Sequence, residues 1–166
     1  MTIDPDGFHL AQINVGRLRA PVGNPLVAEF MNALDEINAL AEQSPGFVWR
    51  YMTEDGNATS VRPYEDESIL INMSVWESID GLGDYVYRSD HAGFLRRRRE
   101  WFERLKEVIV ALWWVPIGTL PTVNDGIERL EHLRANGSGP NAFTFRHPFS
   151  PASEDVRRDE RNECWV

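Results

Sequence analysis

Ser68 to Trp76, SILINMSVW, constrains the fold of this 166-residue chain more than any other stretch. Ile69, Ile71, Met73 and Val75 alternate with Leu70, Asn72, Ser74 and Trp76, so a strand here has one wholly apolar side and one mixed side. The apolar side requires cover, and the mixed side directs an amide, a hydroxyl and an indole the same way. Phe8 to Val15 repeats the pattern, with Ala11, Ile13 and Val15 on one side and Leu10, Gln12 and Asn14 on the other. Phe47 to Met52 is rich in aromatic and branched residues and reads as a strand, and Val108 to Pro116 reads as one buried on both sides. In the second of these four strands, parity does not say whether Trp49 or Arg50 faces a pocket.

Helical spacing fills the gaps. Asn24 and Pro25 form an N-cap and first turn, followed by Leu26, Phe30, Leu34, Ile37 and Ala41 at helical intervals up to Ser44-Pro45-Gly46. A second helix is expected from Ile79 to Lys106, bent near Ser89 to Gly93. The order strand, helix, strand, strand, helix, strand predicts an α+β, ferredoxin-like antiparallel sheet with two helices on one face. A second copy of the chain is the simplest cover for the other face, so a homodimer is expected. Thr122 to Asp125 resembles a capping box before a short helix that ends at Asn136-Gly137, and Phe143 to Phe149 reads as extended. The expected organisation is a domain over 8–118, an extension over 119–150 and a charged tail over 151–166. The polar connection from Glu54 to Glu67 offers a turn at Asp55-Gly56-Asn57.

Composition excludes several function classes. Twenty-six acids against seventeen Lys and Arg leave a formal charge of −9, which disfavours binding to nucleic acid. No apolar run approaches the ~20 residues that span a bilayer, and MTIDPDGFHL lacks the features of a signal peptide, so a cytoplasmic protein without membrane partners is expected. Cys164 stands alone, and the four histidines show no metal-ligand spacing. No phosphate-binding glycine loop or nucleophile elbow is present.

The chemistry-bearing residues concentrate in Tyr85 to Leu105. On a helix, Phe94, Leu95, Trp101, Phe102 and Leu105 form an apolar face that also carries His91 and Arg98, with Tyr87 one turn before His91. Arg96, Arg97 and Arg99 point outward. A cationic Arg98 and burial would both keep His91 neutral, as a general base requires, while Arg98 holds an anionic oxygen and Tyr87 donates a hydrogen bond. The competing reading is a packing histidine and an arginine paired with a loop acid. Asn14, Asn72, Ser74 and Trp76 point to a ligand pocket beside these helices, with Trp101 as a second aromatic wall, or else to an internal polar network.

HLAQINVGRL, FVWRYM, LINMSVWESIDGLGDYVYRSDHAGFLRRRREWFE, LWWVP, IERLEHLRANG and AFTFR together resemble the DUF3291 family over roughly residues 8–148. That resemblance implies a dimeric α+β barrel. Its wider superfamily includes cofactor-free monooxygenases of polyketide quinols, muconolactone-type isomerases, haem-degrading enzymes and chlorite dismutases, with the ligand between sheet and helices. Val75 to Ser78, VWES, is similar to a segment of the haem-degrading members, and by that likeness Trp76 borders the pocket. The likeness departs at the axial histidine of those members, where this chain has Leu95. It departs again after WWVP, where Ile117-Gly118-Thr119 stands in place of an expected histidine. Together these readings imply a cofactor-independent small-molecule enzyme: an isomerase, cyclase or lyase, or a monooxygenase-like protein. Its substrate would be a small anionic or aromatic molecule. The expected catalytic residues are His91, Arg98 and Tyr87, with Asn14, Asn72, Ser74, Trp76 and Trp101 binding substrate and no metal. The alternative is a non-catalytic protein that binds haem or a metabolite.

Overall fold

Alternation along two central strands sorts the sheet into unlike faces. In the computed structural model, which describes residues 5–52 and 68–151, the strands are β1 (Phe8–Arg17), β2 (Phe47–Arg50), β3 (Ile69–Trp76) and β4 (Val110–Pro116). They form one sheet in the order β2-β3-β1-β4, and every neighbouring pair is antiparallel. The polar connection before β3, the charged tail and Cys164 lie outside the described residues. The strand order is that of a ferredoxin-like sheet, as the succession of elements predicts.

The dry face carries Ala11, Ile13 and Val15 of β1, Ile71, Met73 and Val75 of β3, and Ala111, Trp113 and Val115 of β4, all buried. Its cover is not a second copy. Helix α5 (Val123–Asn136) lies on this face and packs Leu130 and Leu133 into the same cluster. Gly126 makes the close approach possible, because a Cβ there would stand 2.8 Å from both Ile13 Cδ1 and Met73 Sδ. The capping box predicted at the helix start is formed, with Thr122 Oγ1 accepting from Asp125 N and Asp125 Oδ2 accepting from Thr122 N. The apolar side of β3 is therefore satisfied within one chain, and the reason given above for a homodimer disappears.

The opposite face receives α1 (Pro25–Gln43) and α2 (Ile79–Arg88). Asn24 caps α1 through its side-chain oxygen, which accepts from Leu26 N at 2.9 Å, and Pro25 fills the first helical position. The helix expected to run from Ile79 to Lys106 is instead three pieces: α2, α3 (His91–Arg96) and α4 (Arg98–Trp101). At the first break, the Ser89 hydroxyl donates to the Tyr85 carbonyl and accepts from His91 N, while the Ser89 backbone is extended. The serine supplies polar partners that the helix ladder would otherwise provide. After Trp101 the chain turns outward, and Phe102 pairs with Leu18 beside the end of β1.

The segment after α5 closes the edge of β4. Phe143 is fully buried and exchanges two backbone hydrogen bonds with Leu112, of 2.8 and 2.9 Å. Trp114 Nε1 donates to the Phe149 carbonyl at 2.7 Å, so the strap is tied at both ends.

Leu130→Ala tests the role of α5. It should cost about 2–5 kcal/mol of stability, the range for a large-to-small change at a fully buried site. Urea denaturation of the variant against the parent measures it.

Candidate functional site

Between the second face of the sheet and the helices lies a cavity of about 600 Å³, a size suited to a small organic ligand. Its floor is a ladder of cross-strand polar pairs. Asn14 stands opposite Asn72, and Gln12 opposite Ser74. Gln12 Nε2 donates to Asn72 Oδ1 at 2.7 Å and to Ser74 Oγ at 2.8 Å. Asn14 Nδ2 donates to Asn72 Oδ1 and to Gln12 Oε1, both at 3.2 Å. The cluster predicted from alternation is thus an internal network and also the cavity floor, and Asn72 is its exposed member.

Trp76, expected as a pocket wall, does not line the cavity. It is fully buried, donates from Nε1 to Ser74 Oγ at 2.9 Å, and is covered by Tyr85 stacked at 5.2 Å. Tyr85 takes its place at the cavity surface and also contacts the His91 ring, 4.7 Å away between centroids. The spacing of Leu82 and Tyr85, one turn apart on the face of α2 toward the sheet, is the sequence signal for this tyrosine. The Tyr85 hydroxyl donates to the Ile37 carbonyl at 3.3 Å, and burial pushes its pKa upward, so the phenol stays protonated.

The His91 ring is half-buried, with Nδ1 3.1 Å from the Val86 carbonyl. A carbonyl can only accept, so Nδ1 carries the proton and Nε2 keeps its lone pair. Burial lowers the pKa of His91. The carbonyl contact opposes that shift, and the positive charge of Arg98 adds to it. Tyr87, expected one turn before His91 on the same face, lines the cavity from an exposed position. The extended Ser89 shifts the phase, leaving Tyr87 56% exposed at the mouth with its ring on Phe145, 5.6 Å away.

Arg98 lines the cavity beside the end of β1, where one of its Nη groups donates to the Val15 carbonyl at 3.2 Å. Its guanidinium lies 4.8 Å over the Phe102 ring, and burial lowers its pKa. Among the described residues no carboxylate pairs with it. Gly16 makes room for both groups: a Cβ there would fall 2.6 Å from Phe102 Cδ1 and 3.0 Å from Arg98 Nη2. Trp101, nearly fully buried, forms part of the wall with Phe30 at 5.5 Å and Phe94 at 6.2 Å. The neighbouring Arg97 is a surface clamp, paired with Glu29 and Glu100 and lying over Trp101.

Parity within β2 is resolved by pairing. Arg50 stands opposite Ser74 and lines the cavity, where it pairs with Glu42 at 2.7 Å, whereas Trp49 packs toward the dry face. With Arg146 from the strap, three arginines line the cavity, and among the described residues no aspartate or glutamate does. The described residues contain no group of three His, Cys, Asp or Glu side chains placed to hold a metal ion, and no described helix is long and apolar enough to cross a membrane.

The family model described as a domain of unknown function, DUF3291, matches residues 9–159. No curated protein matches the chain. Among solved structures, the chain is similar to SnoaB, a cofactor-independent oxygenase from Streptomyces nogalater. The identity is 17% and the TM-score 0.47, over 69% of this chain and 98% of that one. A conserved protein from Methanosarcina mazei Go1 is similar at 16% identity and TM-score 0.45, covering 64% of this chain and 92% of the other.

The His91 environment has a thermodynamic consequence. Its folded pKa lies below the unfolded value near 6.5, so the unfolded state binds the proton first as pH falls. The stability contributed by neutral His91 is therefore present above about pH 6.5 and is lost as pH drops from there toward the folded pKa, with a slope of at most about 1.4 kcal/mol per pH unit. Denaturation from pH 7.5 to 5 should show this slope in the parent. The difference between the parent and His91→Gln isolates it.

Proposed function

The chain belongs to the DUF3291 family, whose description assigns no chemistry, and we propose from its cavity that it is a cofactor-independent enzyme acting on a small anionic or aromatic molecule by proton transfer. One observation carries the reading. Arg98, which pairs with no carboxylate among the described residues, shares the cavity with an imidazole whose Nε2 lone pair is free of protein partners among the described residues. Such a cavity favours an organic anion over a cation, and its aromatic walls favour a flat body.

Within it His91 is the general base. Nδ1–H is held by the Val86 carbonyl, which orients the ring and leaves Nε2 to take a proton from the ligand. Arg98 binds the anionic group and stabilises charge that develops as the proton leaves. Asn72 supplies hydrogen bonds from the floor, steadied by Asn14 and Gln12. Trp101 serves as a wall. The roles assigned to Trp76 and Tyr87 change: Trp76 supports Tyr85 from beneath, and Tyr87 belongs to the mouth. Isomerisation, cyclisation, elimination, or oxygenation of the resulting carbanion all begin with this proton transfer.

A single probe tests the base. Phenylpyruvate is an aromatic anion with an acidic C–H, and its C3 protons exchange with deuterium in D2O at a rate that NMR follows. The protein should accelerate this exchange, and His91→Gln should lower the acceleration by about 10²–10⁴-fold, the usual worth of a positioned base. Equal acceleration by the parent and the variant, both folded, would remove His91 from the mechanism.

A second reading, binding without turnover, is favoured by the same imidazole. A ring that donates Nδ1–H to a carbonyl and presents Nε2 has the geometry of a metal-ligating histidine, and His91 is the residue that would hold a haem iron. Added haem should then give a Soret band that His91→Ala abolishes, and the deuterium exchange should be absent.

A further inference from the structure

We propose that the cavity is built for an aromatic oxo acid, with the carboxylate on Arg98, the carbonyl oxygen on the side-chain amide of Asn72, and the enolisable carbon beneath His91 Nε2. This names the substrate class of the site above and rests on that reading of it.

Asn72 Oδ1 already accepts from Gln12 Nε2 and from Asn14 Nδ2, so its lone pairs are spent and its exposed face offers two N–H groups. The amide nitrogen of Gln12 has used both hydrogens, on Asn72 and on Ser74. Arg98 has five N–H donors and spends one on the Val15 carbonyl. Asn72 on the floor and Arg98 on α4 therefore both donate into the cavity, and they call for two acceptor oxygens, one of them charged. From the helical side His91 Nε2 presents a lone pair and calls for a proton.

Register sets the backbone spacing. Arg98 rests against Gly16, and Asn72 stands on the neighbouring strand opposite Asn14, two residues earlier on β1. Two residues along a strand, about 7 Å, and one strand across, about 5 Å, separate those backbone positions by roughly 8–9 Å. Two hydrogen bonds of about 2.9 Å and the gap between neighbouring oxygens of a ligand span a similar distance. The acid and the carbonyl are thus close in the ligand, as in a 2-oxo or 3-oxo acid, and are not at opposite ends of it. The rest of the cavity around Arg98 is aromatic, with Phe30, Phe94 and Trp101 as walls, and takes a ring.

The chemistry balances without a co-reactant. His91 Nε2 removes a proton from the carbon beside the carbonyl, and the C–H bond breaks. Its electron pair forms the carbon–carbon double bond, while the carbonyl π pair moves to oxygen. The enolate oxygen is held by Asn72, and the imidazolium returns its proton to carbon or to oxygen, giving a tautomer of the substrate.

Three probes in the intact protein test the class: phenylpyruvate, 3-phenylpropionate, which lacks the ketone, and 1-phenyl-2-propanone, which lacks the acid. By calorimetry phenylpyruvate should bind at least tenfold more tightly than either. Arg98→Gln should erase its advantage over the ketone alone, and Asn72→Leu its advantage over the acid alone. Equal affinity for all three in the parent, or no binding of any, overturns the class without recourse to a variant. The two readings fail separately. If the binding preference holds while His91→Gln leaves deuterium exchange unchanged, the class stands and the base falls. If His91-dependent exchange is as fast in 1-phenyl-2-propanone as in phenylpyruvate, the base stands and the class falls.

Discussion

The two-residue alternation shared by β1 and β3 is the constraint on which the molecule rests. Because the two strands pair in register from Leu10↔Trp76 to Arg17↔Ile69, Ala11, Ile13 and Val15 meet Val75, Met73 and Ile71 on the α5 side. The amides and the hydroxyl meet on the side facing α1 and α2. A slip of one residue would bury Gln12, Asn14 and Asn72 under α5 and expose Ile13 and Met73, so the register is strongly enforced. The polar floor of the cavity is the necessary counterpart of a well-formed dry face.

Two local devices then bring charge to that floor. Gly16 leaves a gap in β1 through which Phe102 and the Arg98 guanidinium approach the strand. Ser89 breaks the helix and turns His91 so that its ring rests on Tyr85 and its Nδ1 reaches the Val86 carbonyl. Neither device adds much burial. Together they place a cation and a neutral imidazole in one cavity, and the four-arginine run divides its labour between the surface clamp of Arg97 and the inward Arg98.

Much of this was legible in the sequence, because period-two alternation reports directly on which side of a sheet a residue lies. Parity alone put Asn14, Asn72 and Ser74 on one face, and the wide apolar stripe of the second helical region carried His91 and Arg98. Three things were hidden. An amphipathic helix such as α5 shows that it covers something but not what, so the dry face was assigned to a second copy. Helical phase carried through Ser89 joined Tyr87 to His91, when an extended residue there hands that neighbour's place to Tyr85. Parity also shows which side Trp76 faces but not what lies over it, and Tyr85 and Phe47 pack over it.

The cavity so formed is aromatic and, among the described residues, is lined by arginines and no carboxylate, with Arg50 paired to Glu42 and Arg98 to none, and the functional reading depends on that contrast. Its central claim is that the guanidinium of Arg98, which pairs with no carboxylate among the described residues, anchors an organic anion. A crystal structure with 4-bromophenylpyruvate, in which anomalous scattering locates the bromine, tests it most directly. The account predicts the carboxylate within hydrogen-bond distance of Arg98 and the bromophenyl ring among Phe30, Phe94 and Trp101. A carboxylate directed to solvent past Tyr87 and Phe145, with Arg98 untouched, would contradict it.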